Sequence, residues 1–207
     1  MAKKARPSRS PTNRGQKLPP EPLSAEEAKA LLRACSRRAP TGVRNAALLG
    51  LLYRGGLRCG EAIALYLKDV DRKAGTVRVL HGKGDHSRVV GLDPGAFALV
   101  ERWLDKRKTL KIKRTAPLIC TLAGGPLDPS YVRHAVKRLA KRAGIDKRVH
   151  PHGLRHSHAV ELAREGVPMN VIQAQLGHRS LSTTNLYVNH LCPQHVVEAM
   201  QAREWSL

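Results

Sequence analysis

Between residues 76 and 90 the chain stops reading as helix, and that one change limits the folds open to it. Two short β-branched runs, Thr76-Val77-Arg78-Val79-Leu80 and Ser87-Arg88-Val89-Val90, flank His81-Gly82-Lys83-Gly84-Asp85. Such runs around a Gly-containing connection predict a β-hairpin. The segments on either side carry helical signals. The expected fold class is therefore mainly α with a small antiparallel β-sheet, an α+β arrangement.

The helices can be placed from their ends. Ser24-Ala25-Glu26-Glu27 has a hydroxyl N-cap with a Glu three residues on, which predicts an amphipathic helix through about Arg38. A strongly apolar helix is expected from about Val43 to Arg54, ending at Gly55-Gly56, and a third, shorter one from about Arg58 to Leu65. Pro94 opens another helix to about Lys108, followed by a basic loop with Lys111, Lys113 and Arg114. A short strand near Leu118 to Thr121 is expected to join the hairpin. Helices follow at about 129–143, 151–165 and 168–176, with Pro151 and Pro168 in first-turn positions, then at about 181–189 and 193–204. No internal repeat is visible.

Charge narrows the partner. The 207 residues hold 37 Lys and Arg against 16 Asp and Glu, a formal net charge of +21. A field of that sign attracts nucleic acid or an acidic membrane surface, and charge by itself leaves RNA and DNA equally open. Aromatic residues are only 3% of the chain, too few for a protein that stacks on splayed single-stranded bases. A binder that tracks the backbone of a duplex fits better. No run approaches the length of a membrane span, and Met1 leads into a basic, Pro-rich segment without an apolar signal core. Cys35, Cys59, Cys120 and Cys192 are scattered without CxxC spacing, which predicts neither a disulfide framework nor a zinc site and suits a reducing, cytoplasmic setting. Residues 1–22 read as a basic flexible arm with two possible uses, a DNA-tracking arm or a solubilising tail.

Three clusters carry chemistry. In the helix at about 129–143, Val132, Val136, Leu139 and Ala143 form an apolar stripe. Arg133, Lys137, Arg138, Lys141 and Arg142 occupy the other faces with no acid among them, a candidate phosphate-contact surface; Lys111 and Lys113 are further candidates. In Pro151-His152-Gly153-Leu154-Arg155-His156, positions 152 and 155 share a helix face, so an imidazole and a guanidinium fork converge on one ligand atom. His152 and His156 also have the i,i+4 spacing of a metal pair, but the glutamate of an HExxH motif and a third ligand are missing, so no metal is expected. Finally, Leu176-Gly177-His178-Arg179-Ser180 precedes Ser182-Thr183-Thr184-Asn185-Leu186-Tyr187, with Gly177 ending a helix and His178 at the junction.

Taken together, these segments resemble the tyrosine recombinases, also called the phage-integrase family. Gly56-Leu57-Arg58-Cys59-Gly60-Glu61 is similar to that family's first-arginine box, Gly82-Lys83-Gly84 to its lysine turn, His152-Gly153-Leu154-Arg155 to its HxxR box, and Leu176-Gly177-His178 to the box of its second histidine. The resemblance covers residues 23–190 and implies that family's catalytic-domain fold. It implies Arg58, Lys83, His152, Arg155 and His178 as catalytic residues, Tyr187 as nucleophile and Glu61 as the acid supporting Arg58. Two departures stand out. Gly60 replaces the small hydroxyl residue common before the glutamate, and a separate N-terminal core-binding domain is not seen, so the chain is similar in size to the short fimbrial phase-variation invertases. The basic arm is a candidate substitute for the missing half of the clamp.

The resemblance implies a site-specific recombinase or integrase acting on double-stranded DNA, encoded by a bacterium, phage, plasmid or other mobile element. Such an enzyme breaks and reforms phosphodiesters through a 3′-phosphotyrosyl intermediate, which conserves the bond energy, so no cofactor, metal or ATP is expected. It also implies a homotetramer on DNA, with residues 191–207 as a C-terminal helix docking on a neighbouring protomer, and leaves room for an accessory protein. Two rival readings remain at this point: a type IB topoisomerase-like strand swivelase, and a non-catalytic DNA-binding accessory factor.

Overall fold

The computed structural model describes residues 21–80, 87–177 and 201. The first twenty residues of the expected arm, the hairpin connection with Lys83 and, apart from Gln201, the expected helices at 181–189 and 193–204 lie outside the described residues. Leu23 is already part of the core, and its amide donates to the Ser157 hydroxyl at 2.8 Å.

Helix α1, Ala25–Arg33, opens with the expected reciprocal cap: Ser24 Oγ accepts the Glu27 amide at 3.1 Å and Glu27 Oε2 accepts the Ser24 amide at 2.7 Å. It ends at Arg33 rather than near Arg38. Ser36 Oγ draws the amides of Arg38 (3.3 Å) and Ala39 (3.0 Å) into a turn, and Pro40 then starts the next helix. Helix α2, Pro40–Leu49, consequently begins before Val43, the expected start.

α2 runs on into one π-helical turn, Gly50–Arg54, where the Gly55 amide reaches back to Gly50 O at 3.0 Å. The wider turn changes the phase of the side chains, so Leu51, Leu52 and Tyr53 are all buried and Arg54 is turned toward two acids. Its guanidinium meets Asp93 at 2.7 Å and Glu161 at 2.6 Å. The chain then reverses at Gly55-Gly56, as expected. Gly56 has φ +62°, and a Cβ there would stand 2.5 Å from the Leu176 side chain and 2.8 Å from His158, so only glycine fits. This close approach delivers α3, Cys59–Ala64, with Arg58 at its N-cap.

The sheet has three antiparallel strands in chain order: β1, Val70–Asp71, β2, Thr76–Val79, and β3, Arg88–Gly91. Val77 pairs with Val70 on one side and Val90 on the other. The expected hairpin strands are therefore present, but the expected third strand near Leu118 to Thr121 is not one. That place is taken by Val70–Asp71. Leu118, Ile119 and Cys120 are buried one after another, which a half-exposed strand cannot do, and the Leu118 amide bonds Leu65 O at 2.6 Å.

The segment before it is organised by a buried arginine. Helix α4, Pro94–Thr109, carries Trp103, whose indole N–H donates to Leu118 O at 2.7 Å, and Arg107. The Arg107 fork donates to Leu118 O (2.8 Å), Lys113 O (3.2 Å), Ala116 O (3.3 Å) and Pro117 O. These carbonyls are thus turned to a side chain and not to a strand. Arg107→Met keeps most of the stem but removes the guanidinium donors from these carbonyls, and is expected to cost about 3 kcal/mol, readable as a lower urea midpoint.

Helices α5, Pro129–Arg142, α6, Pro151–Arg164, and α7, Met169–Leu176, follow near their expected bounds. α2 packs on α4, α6 lies against the π-helical turn, and Trp103, Leu48, Leu52, Leu57 and Leu154 fill the space between them. A smaller cluster of Ala159, Ile172 and Leu176 fastens α6 to α7, and α7 in turn packs against β3. No helix among the described residues is long and apolar enough to cross a membrane.

Candidate active site

Glu61 is the centre on which this architecture converges. It occupies the third position of α3, from which its side chain can reach back to the helix start: Oε2 accepts the Arg58 amide at 2.8 Å. Oε1 accepts from Arg58 Nη1 at 2.8 Å. From β3, Arg88 places its fork on the same carboxylate, Nη1 to Oε1 at 3.0 Å and Nη2 to Oε2 at 2.8 Å. From α6, Arg155 Nη1 stands 3.9 Å from Oε2. Although burial alone would raise its pKa, the donors from Arg88 and Arg58 outweigh it and hold the Glu61 carboxyl down at about 2. The carboxylate is therefore ionised throughout the physiological range.

The two arginines expected from the sequence are brought together, but in different states. Arg58 is 47% exposed, so a ligand can reach it, and its Nη2 also points at Gly177 O, 3.5 Å away. Arg155 is 4% exposed. Its guanidinium spans two segments, donating to Gly56 O and to Leu176 O, both at 2.6 Å. Arg155 thereby fixes the Gly55-Gly56 reversal to the end of α7.

His152 lies exposed in the first turn of α6, its ring stacked 6.3 Å from that of His150. Packing around the ring and the neighbouring cations Arg155 and Arg58 push its pKa below the usual histidine value. At neutral pH it is an uncharged imidazole, able to take up a proton. His156 is buried in the next turn, away from that surface. Among the described residues no group of His, Cys, Asp and Glu is arranged to hold a metal ion. Cys59, beside Arg58, has its thiol pKa raised by burial, which makes it a poor thiolate. Lys83, His178 and Tyr187 lie outside the described residues, although α7 ends at Gly177 (φ +66°) directly before His178.

The cations of α5 are exposed as a set: Arg133, Lys137, Arg138, Lys141 and Arg142. Two of them also have partners within the fold. Arg142 Nη1 donates to Ala34 O at 3.2 Å, and Arg138 sits 5.9 Å from the centre of the Tyr131 ring. Arg133 is near enough to α3 to act on the Cys59 thiol, so the start of this basic face adjoins Arg58. Lys111 and Lys113 are exposed on the loop after α4, and Lys111 takes a left-handed backbone (φ 56°) to end that helix.

Three participants were missed from sequence. His150 caps α6, its Nδ1 accepting the Gly153 amide at 3.0 Å; a polar residue just before Pro151 was the available signal. Gln175 clips β3 to α7, with Oε1 on the Gly91 amide at 3.1 Å and Nε2 on Gly91 O at 2.9 Å. Arg88 was visible in the strand alternation. It faces Val79 in register and shares the inward face of β3 with Val90, while Val89 points out. A cation on a core-facing strand position requires a buried acid partner.

One buried histidine here costs stability. His158, 3% exposed on α6, finds no hydrogen-bond partner for either ring nitrogen among the described residues. Burial and the nearby Arg54 push its pKa down to about 4, so it is neutral and still unsatisfied. His158→Phe keeps a planar ring in the site and is expected to raise stability by about 1 kcal/mol, measured as a higher urea midpoint with unchanged slope.

A sequence model described as the phage integrase family matches residues 21–192. Among curated proteins the chain is 37% identical over 172 residues to the tyrosine recombinase XerD of Halalkalibacterium halodurans, covering 82% of this chain and 57% of that one. It is 36% identical over 184 residues to the tyrosine recombinase XerC of Thermodesulfovibrio yellowstonii, covering 86% and 60%. The chain therefore spans somewhat over half the length of these relatives. Among solved structures, XerA recombinase matches with a TM-score of 0.79 and 31% identity, over 95% of this chain and 68% of that chain. XerH recombinase, bound to a palindromic difH substrate after cleavage, matches with a TM-score of 0.72 and 31% identity, over 88% and 53%. With its mainly helical fold, three-stranded sheet and paired arginines on one carboxylate, the chain belongs to the phage integrase family, that of the tyrosine recombinases.

Proposed function

We propose that this chain is the catalytic unit of a site-specific DNA recombinase, cleaving and rejoining strands through a 3′-phosphotyrosyl intermediate. The observation that carries the reading is the convergence of Arg58 and Arg155 on the single carboxylate of Glu61. Two forked cations oriented by one buried anion form a clamp for the non-bridging oxygens of a phosphodiester, where negative charge grows in the transition state.

In this reading the Tyr187 hydroxyl attacks phosphorus and the bond to the 5′ oxygen breaks. His152, uncharged at neutral pH, takes part in removing the phenol proton. Lys83 supplies a proton to the departing 5′ oxygen, and His178 donates a further hydrogen bond to the phosphate. The partner strand's 5′ hydroxyl then reverses the step, so no external energy source enters. The exposed cations of α5, with Lys111 and Lys113, serve as sequence-independent contacts to the duplex backbone. Residues 191–207 dock on a neighbouring protomer in a DNA-bound tetramer. Truncation after His190 is expected to shift the DNA-bound species to smaller assemblies in size-exclusion chromatography.

The test is covalent trapping. Incubated with nicked duplexes carrying the flanking DNA of its own locus, the wild-type chain is expected to form an SDS-resistant adduct, and Tyr187→Phe none. A two-duplex assay then separates strand exchange from relaxation of one duplex. Firm binding without an adduct in the wild type would reject catalysis by this chain.

A further inference from the structure

We propose that Arg88 is a positioning residue for strand cleavage, holding the Glu61 carboxylate so that it orients Arg58 and Arg155 without neutralising them; this rests on the recombinase reading above. Arg88 is 10% exposed and Glu61 9%, so the pair is shielded from solvent. The fork of Arg88 meets both carboxylate oxygens, at 3.0 and 2.8 Å, which fixes the plane of the group. Its third nitrogen, Nε, donates to Gln175 O at 3.2 Å. A Cβ at Gly177 would stand 2.8 to 2.9 Å from the Arg88 side chain, so the turn before His178 is seated directly on it. One side chain thus joins β3, α3 and the end of α7.

The charge balance explains why a third arginine is needed. A carboxylate facing only Arg58 and Arg155 would draw both guanidiniums toward itself and compete with the phosphate for their donors. With Arg88 occupying the carboxylate from the core side, three cations surround one anion. A net positive charge remains, and Arg58 makes only one side-chain bond to Glu61, at 2.8 Å, while Arg155 stands back at 3.9 Å. In this scheme Arg88 acts through Glu61.

The experiment compares the full wild-type chain with Arg88→Lys and Arg88→Met on two versions of the nicked duplex that supports the wild-type adduct. One carries the natural phosphate at the scissile position and the other a neutral methylphosphonate, which develops less negative charge and so needs less of the clamp. On the phosphate, Arg88→Met is expected to slow single-turnover adduct formation by about 10- to 100-fold, while the Kd for DNA changes by no more than about threefold. Arg88→Lys, which restores the charge without the fork, should recover part of the rate. On the methylphosphonate the gap between wild type and Arg88→Met should largely close.

A defect equally deep on both substrates would overturn the proposal in favour of a purely structural role, and Arg88→Lys supplies the folded comparison if the methionine variant is unstable. A wild-type rate for Arg88→Met on the phosphate would overturn it as well. Failure of the wild type itself to form an adduct would instead bring down the recombinase reading, and the role of Arg88 with it.

Discussion

Arg155→Lys is expected to lower the rate of adduct formation by about 10²- to 10³-fold, the usual cost of removing one preorganised donor from a developing oxyanion. The reason lies in shape. The guanidinium donates along two directions to Gly56 O and Leu176 O, each at 2.6 Å, and so ties two chain segments into one surface. An ammonium is a point charge on a flexible stem and cannot hold both carbonyls in that geometry. The carbonyl left behind is buried, so the same variant should lose about 2 kcal/mol of stability. Single-turnover kinetics and urea unfolding read the two effects separately. A lysine variant with a wild-type cleavage rate would remove Arg155 from the clamp.

Glu61→Gln should have the largest effect on stability. It retains the side chain's size but removes the one anion among Arg58, Arg88 and Arg155, two of which are 10% exposed or less. Breaking a buried pair by removing one partner costs about 3–5 kcal/mol. The effect should depend on pH in a defined direction. The Glu61 pKa, about 2 in the fold, lies below its ordinary value of 4.5. The ionised carboxylate thus contributes its full stabilisation above about pH 4.5, and loses it as pH falls toward 2. Wild-type stability should fall across that window, and the curve for Glu61→Gln should be flatter there. Parallel curves would show that Glu61 is not the group responsible.

Much of the candidate site was legible because its chemistry is written in local motifs. The pairing of Arg58 with Glu61 was implied by the resemblance to the tyrosine recombinases, whereas His152 and Arg155 are three apart on one helix, so short-range geometry was enough to pair them. Helix starts were legible for the same reason: the reciprocal Ser24–Glu27 cap and the first-turn prolines act within one turn. The strand expected at Leu118 to Thr121 failed because its apolar residues are buried by a loop whose carbonyls are gathered by Arg107 and Trp103, and no local pattern reports that. The early end of α1 failed on a turn made by Ser36, a residue equally compatible with helix.

Sequence alone therefore determined the fold class and most helix starts, since propensity and capping are properties of neighbouring residues, while the expected catalytic residues came from the resemblance to the tyrosine recombinases. Tertiary structure decided the rest. Only packing could bring Arg88 from β3 and Arg155 from α6 onto Glu61 of α3, and place Gly56 against Leu176 and His158. Burial also decided the protonation states, because a carboxyl ringed by guanidiniums and a histidine sealed from water are titrated by their surroundings and not by their names.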